Sequence, residues 1–131
     1  MNEELKIQSN VDNLIKVENL IDNLSKRLGV SDEVYGKVLV STIEAVNNAI
    51  VHGNKNVESK AVNLVCSSNG SSLTIVVKDE GDGYNFNSIP DPTAVENLEK
   101  LSGRGVFIMK KLADDIEFNE FGNEVKMTFK Y

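Results

Sequence analysis

Residues 44–53, Glu-Ala-Val-Asn-Asn-Ala-Ile-Val-His-Gly, constrain the fold more than any other stretch of the chain. Glu44, Asn48 and His52 recur every four residues, so on an α-helix they project from neighbouring turns of one face while Val46 and Ile50 turn elsewhere. The result is a polar stripe on an otherwise apolar helix. A carboxylate, an amide and an imidazole in such a line can polarise a hydroxyl, hold a hard cation through an oxygen, and keep the two in register. An E-x-x-x-N spacing alone is usually a solvated helix face, so the segments downstream decide its meaning. His52-Gly53 is expected to end the helix, because glycine reaches the left-handed conformation of a C-terminal cap without steric cost.

The segments before this stripe read as a strand and two helices. Glu4 to Gln8 alternates, with Leu5 and Ile7 on one face, and its length suits a strand at a sheet edge. From Val11 to Leu28 the apolar residues keep a helical spacing, with Ser9 or Asn10 placed to cap and Gly29 placed to stop it. Ser31 caps a second helix, and Asp32 and Glu33 favour its positive dipole end. Val34, Val38, Leu39, Ile43, Val46 and Ile50 form its buried side, and it delivers Glu44 and Asn48.

Beyond a polar connection at 54–59, Lys60 to Ser67 alternates as a strand, with Val62, Leu64 and Cys66 on one side. Cys66 therefore reads as a small buried hydrophobe. The Asn69-Gly70 pair favours a tight turn into a β-branched run from Leu73 to Lys78, so the two strands form a hairpin. The hairpin ends on Asp79-Glu80-Gly81-Asp82-Gly83. Glycines at alternate positions after a strand let the backbone approach a ligand closely, and Asp79 can accept a hydrogen bond from an exocyclic amine such as that of adenine. In isolation D-x-G-x-G is usually a plain acidic turn. A calcium loop is excluded, because Pro90 occupies the position where the closing glutamate would stand.

Residues 84–102 are irregular, punctuated by Pro90-Asp91-Pro92, with a short helical segment at 94–101. So long a loop reads as a lid. Ser102-Gly103-Arg104-Gly105 then opens a helix whose buried side is Val106, Ile108, Met109 and Leu112. A glycine-rich start to a helix is a ready anion site, since free N–H groups and the dipole both favour phosphate. Asp114 to Phe118 and Glu124 to Phe129 alternate as two final strands joined through Glu120-Phe121-Gly122-Asn123.

The order of elements implies an α+β fold, a two-layer sandwich of a mixed, mostly antiparallel sheet covered on one face by helices. Its 131 residues suit one domain, residues 1–131, able to bury a core without staples. A net charge of −6 argues against a nucleic-acid backbone or an anionic membrane as the main partner and leaves a basic protein surface as a sensible one. One cysteine and one histidine cannot make a disulfide or a structural zinc site. No charged leader runs into a long apolar segment, so a cytoplasmic protein is expected.

E-x-x-x-N-x-x-x-H-G on a helix, D-x-G-x-G after a strand, and G-x-G opening a later helix that closes with Leu112-Ala113-Asp114 together resemble the Bergerat ATP-binding fold. That fold is shared by gyrase, MutL, heat-shock chaperones and histidine kinases. The resemblance spans nearly the whole chain, and the ten residues from Glu44 look most like the bacterial anti-sigma factor serine/threonine kinases. It implies that Asn48 coordinates Mg²⁺ bridging the ATP phosphates and that Glu44 polarises the attacking serine hydroxyl. It further implies that Asp79 reads the adenine amine, that Gly81 and Gly83 shape the base pocket, and that Ser102, Gly103, Arg104 and Gly105 cradle phosphates. His52 belongs with these nucleotide-binding residues as part of the helix end, not as a phosphoacceptor. Arg104 and Lys100 are the candidate cations, because the family's basic lid residue falls at Leu101 here. The family's closing Gly-Thr motif reads Gly122-Asn123, and Thr128 is a strand residue.

The implied partners are a small anti-anti-sigma protein bearing the acceptor serine, a sigma factor, and a second copy of the chain in a homodimer. A non-catalytic, ATP-regulated protein-binding switch is the competing class. Glu44 favours transfer, and Asn123 leans the other way. A histidine kinase is disfavoured, since no helical-hairpin dimerisation segment and no other histidine occur.

Overall fold

Helical spacing and strict alternation resolve into one sheet with helices packed on one of its faces. The computed structural model describes residues 1–81 and 101–131. Strand β1 (Asn2–Gln8) leads through a 3₁₀ turn (Val11–Asn13) into α1 (Leu14–Leu28) and α2 (Asp32–Asn48). The hairpin β2 (Ala61–Ser68) and β3 (Ser72–Lys78) follows, then α3 (Leu101–Leu112), β4 (Asp115–Phe118) and β5 (Glu124–Lys130). The strand order is β1-β2-β3-β5-β4, with β1 at an edge as its length suggests. Each pair is antiparallel, so the expected mixed sheet is antiparallel throughout its described strands.

The ends of these elements follow from local chemistry. Asn10 caps the 3₁₀ turn, its side chain accepting from the Asp12 N–H, and Gly29 closes α1 at φ 66°. Ser31 Oγ accepts from the Val34 N–H at 3.2 Å to start α2. In the β2–β3 turn Gly70 takes φ 95°, and Asn69 Oδ1 accepts from the N–H groups of Ser71 and Ser72. Tyr35 donates its hydroxyl to Asp22 and ties α2 to α1.

Period-2 burial puts Leu64, Ile75, Met127 and Phe129 on the inner sheet face against Val17, Ile21 and Leu24 of α1 and Val38, Val46 and Ile50 of the α2 segment. Cys66 lies in this layer, and burial pushes its thiol up to about 12, which makes it an inert core residue. Among the described residues no helix is long and apolar enough to cross a membrane.

Candidate active site

The end of α2 departs from α geometry where the polar stripe runs out. Ala49–Gly53 form a π-helical turn, in which the Asn54 N–H donates to Ala49 O at 2.8 Å. A π turn accommodates one extra residue and is frequent at functional sites. Glu44 and Asn48 precede the turn in α2, and His52 lies within it. His52 is half-buried, burial lowers its pKa, and its Nε2 has no hydrogen-bond partner among the described residues.

Gly53 also departs from expectation. It is not a left-handed cap, since the positive φ values after the helix belong to Lys55 (53°) and Asn56 (60°). Glycine is required there by a close approach: a Cβ on residue 53 would lie 2.3 Å from Asp79 Oδ2 and 2.7 Å from Oδ1. On the other side of the contact, a Cβ on Gly81 would meet Gly53 O at 2.1 Å. The two glycines bring the end of α2 and the loop after β3 to backbone contact.

The Asp79 carboxylate lies against that contact. Asp79 is buried, and its Oδ1 accepts from the Gly81 N–H at 2.7 Å. Burial raises its pKa, with the Gly81 N–H and the Lys60 charge pulling the other way. Its own N–H donates to Asn123 O at 2.9 Å, which anchors it to the β4–β5 turn. Asp79, Asn48, Ala45, Val77, Met109 and Asn123 are among the walls of one narrow pocket, lined mostly by apolar residues and also by Glu124.

Asn48 links this pocket to a second cleft, lined by Glu44, Asn47, Asn48 and Arg104. Glu44 is half-buried and Arg104 exposed, and neither has a hydrogen bond or ion pair among the described residues. Arg104 and Gly105 lie within α3, which begins at Leu101, so the glycine-rich segment forms the first turns of the helix and does not precede it. Gly105 is buried against Asn48, where a Cβ would lie 2.5 Å from Nδ2. Gly83 and Lys100, with the lid expected at 84–102 up to residue 100, lie outside the described residues.

The sequence model of the family described as "Histidine kinase-like ATPase domain" matches residues 7–129. The chain belongs to that family, in its anti-sigma factor kinase branch. This ATPase domain is 27% identical over 117 residues to a "Serine-protein kinase RsbW" of Oceanobacillus iheyensis, covering 85% of this chain and 74% of the relative. It is 30% identical over 131 residues to an "Anti-sigma F factor" of Clostridium acetobutylicum, covering 97% and 90% respectively. A crystal structure of the RsbU and RsbW domains of a Mycobacterium tuberculosis protein superposes with a TM-score of 0.72 at 12% identity. That match covers 99% of this chain and 32% of the other, and it shows the shared fold.

The residues of the ATPase domain fit a nucleotide and a hard cation. Asn48 is buried with its Nδ2 unpartnered among the described residues, a free donor that suits a phosphate oxygen, while a cation would take the oxygen of the same amide. Gly53 and Gly81 let the backbone close tightly around Asp79, whose carboxylate lines the neighbouring pocket. Asn54 is a residue that sequence reasoning misses. It is fully buried, and no signal beyond its place in a polar turn distinguishes it.

Proposed function

We propose that this chain is an ATP- and Mg²⁺-dependent serine/threonine protein kinase acting as an anti-sigma regulatory factor, with residues 1–131 working as one domain. The observation that carries the reading is the position of Asn48 as the shared wall of two pockets, one lined by Asp79 and the other holding Glu44 and Arg104. Asp79 accepts the hydrogen bond of the adenine amine inside a mostly apolar slot, while Asn48 and Arg104 hold the phosphate end. Asn48 would hold Mg²⁺ through its amide oxygen, and the ion would supply charge neutralisation at the phosphates. Glu44 aligns an acceptor serine hydroxyl and takes its proton, and Arg104 offsets the negative charge on the phosphoryl oxygens. Positioning and charge neutralisation suffice for this chemistry.

The names of the relatives support a sigma factor as a partner; a small anti-anti-sigma protein as the acceptor and a homodimeric kinase complete the proposal on the family resemblance alone. Incubation with γ-labelled ATP, Mg²⁺ and small anti-anti-sigma proteins of the same genome tests this, with label expected on a partner serine. Nucleotide binding without label on any candidate would favour the non-catalytic switch, the class toward which Asn123 in the pocket wall leans.

The raised pKa of Asp79 gives this reading a pH signature. The native carboxyl holds its proton more tightly than the unfolded one, so its contribution to stability is greatest below its ordinary value of 3.8 and is lost as pH rises through the native pKa. Only the ionised carboxylate is an unconditional acceptor for the adenine amine. ATP affinity is therefore expected to rise with pH across that same window, opposite in sign to the effect on stability. Titrations of ATP binding from about pH 4 to 7 should show a larger rise in wild type than in Asp79→Asn, whose remaining pH dependence belongs to the phosphates of ATP. A rise of the same size in Asp79→Asn would assign the titration to another group.

A further inference from the structure

Asn54 uses its whole side-chain amide to join three segments. Its Nδ2 donates to Ser9 Oγ at 2.8 Å and to Ala61 O at 3.0 Å, and its Oδ1 accepts from the Glu80 N–H at 2.8 Å. These partners fix which end of the amide is oxygen, because two are acceptors and one is a backbone donor. Ser9 is itself buried, and its hydroxyl donates to Lys60 O at 2.7 Å. Glu80 returns the link, its carboxylate accepting from the Ala61 N–H. Asn54 also stands at the end of the π turn, its N–H donating to Ala49 O. One buried side chain thus connects the end of β1, the end of the helix that carries Asn48, and the residue between Asp79 and Gly81.

The geometry points to Asn54 as a positioning residue for base recognition, holding the Asp79–Gly81 loop in register with the end of α2; the inference rests on the reading of Asp79 proposed above. The contact between Gly53 and Gly81 sets how close the two segments come, but backbone packing without side chains does not fix the loop's rotation. The bond from the Glu80 N–H to Asn54 holds the peptide that follows Asp79, and together with the bonds of the Asp79 N–H to Asn123 O and of the Gly81 N–H to Asp79 Oδ1 it aims the carboxylate. Loss of Asn54 therefore affects the exocyclic amine of the base more than the phosphates.

Equilibrium binding of two probes in the presence of Mg²⁺ tests this: ATP, and purine riboside 5′-triphosphate, which lacks the 6-amino group. Wild type is expected to prefer ATP. Asn54→Ala is expected to weaken ATP about tenfold, the loss of a buried hydrogen-bond network contact, and to leave purine riboside triphosphate nearly unchanged. Ser9→Ala removes one outer partner of Asn54 and leaves the Glu80 bond, so the same selective loss is expected at about two- to threefold. It decides the matter if Asn54→Ala does not fold. Equal weakening of both probes in the folded variants, or unchanged ATP affinity, would overturn the positioning role. Equal binding of the two probes by wild type would overturn the Asp79 reading itself, and this inference with it.

Discussion

Glu44→Gln is expected to lower phosphate transfer to the acceptor serine by about 10²- to 10⁴-fold, the usual contribution of a positioned general base, with ATP affinity unchanged. Glutamine keeps the shape of the side chain and its capacity to touch a hydroxyl, but it cannot take the proton. The cleft of Glu44, Asn47 and Arg104 is separate from the pocket lined by Asp79, so the substitution does not disturb base binding. Glu44 also has no partner among the described residues, so no structural contact is lost with it. Single-turnover label transfer at saturating ATP separates the rate from binding. A fall in ATP affinity equal to the fall in rate would reassign Glu44 to nucleotide binding, and an unchanged rate would remove it from the chemistry.

The second large effect is expected at Gly81. An alanine there would place Cβ 2.1 Å from Gly53 O and 2.7 Å from Gly53 C, both backbone atoms that no side-chain rotation can move aside. The loop after β3 must then withdraw from the end of α2, at a cost of about 1–3 kcal/mol or more. Asp79 withdraws with it, so Gly81→Ala should lose ATP binding as well as several degrees of Tm. Gly36 is the control. It lies inside α2 with nothing within 4 Å of the place a methyl group would take, so Gly36→Ala should stabilise by about 0.5–1 kcal/mol through helix propensity. Thermal melts of the two variants should therefore shift in opposite directions. A Gly81→Ala protein that melts and binds ATP like wild type would contradict the close approach.

Whatever has a period or a local partner is legible in the sequence. The Ser31 cap, Gly29, the Asn69-Gly70 turn and the inward row of Val62, Leu64 and Cys66 depend on neighbours in the chain, and each stands where the pattern puts it, whereas Asn10 caps the 3₁₀ turn and α1 starts later, at Leu14, without a side-chain cap. The pairing of Glu44 with Asn48 is legible for the same reason. The π turn at Ala49–Gly53 is not legible, because it inserts only one residue and leaves no compositional mark. Gly53 is essential for a reason other than the expected cap: its close neighbour, Asp79, lies beyond the whole β2–β3 hairpin, and helix-end rules see only the next residues in the chain. The same holds for Gly105 against Asn48 and for Asn54 against Ser9 and Glu80. Such contacts are set by how the sheet and helices close, and a polar turn gives no warning of them.

Calorimetric titration of ATP into wild type and Asn48→Ala, each with and without Mg²⁺, tests the central claim most directly. If Asn48 joins the base pocket to the phosphate cleft by holding the cation, wild type binds ATP more tightly with Mg²⁺ and Asn48→Ala loses that gain while still binding ATP alone. A wild-type protein that binds no ATP, or an Asn48→Ala variant with its Mg²⁺ dependence intact, would contradict it.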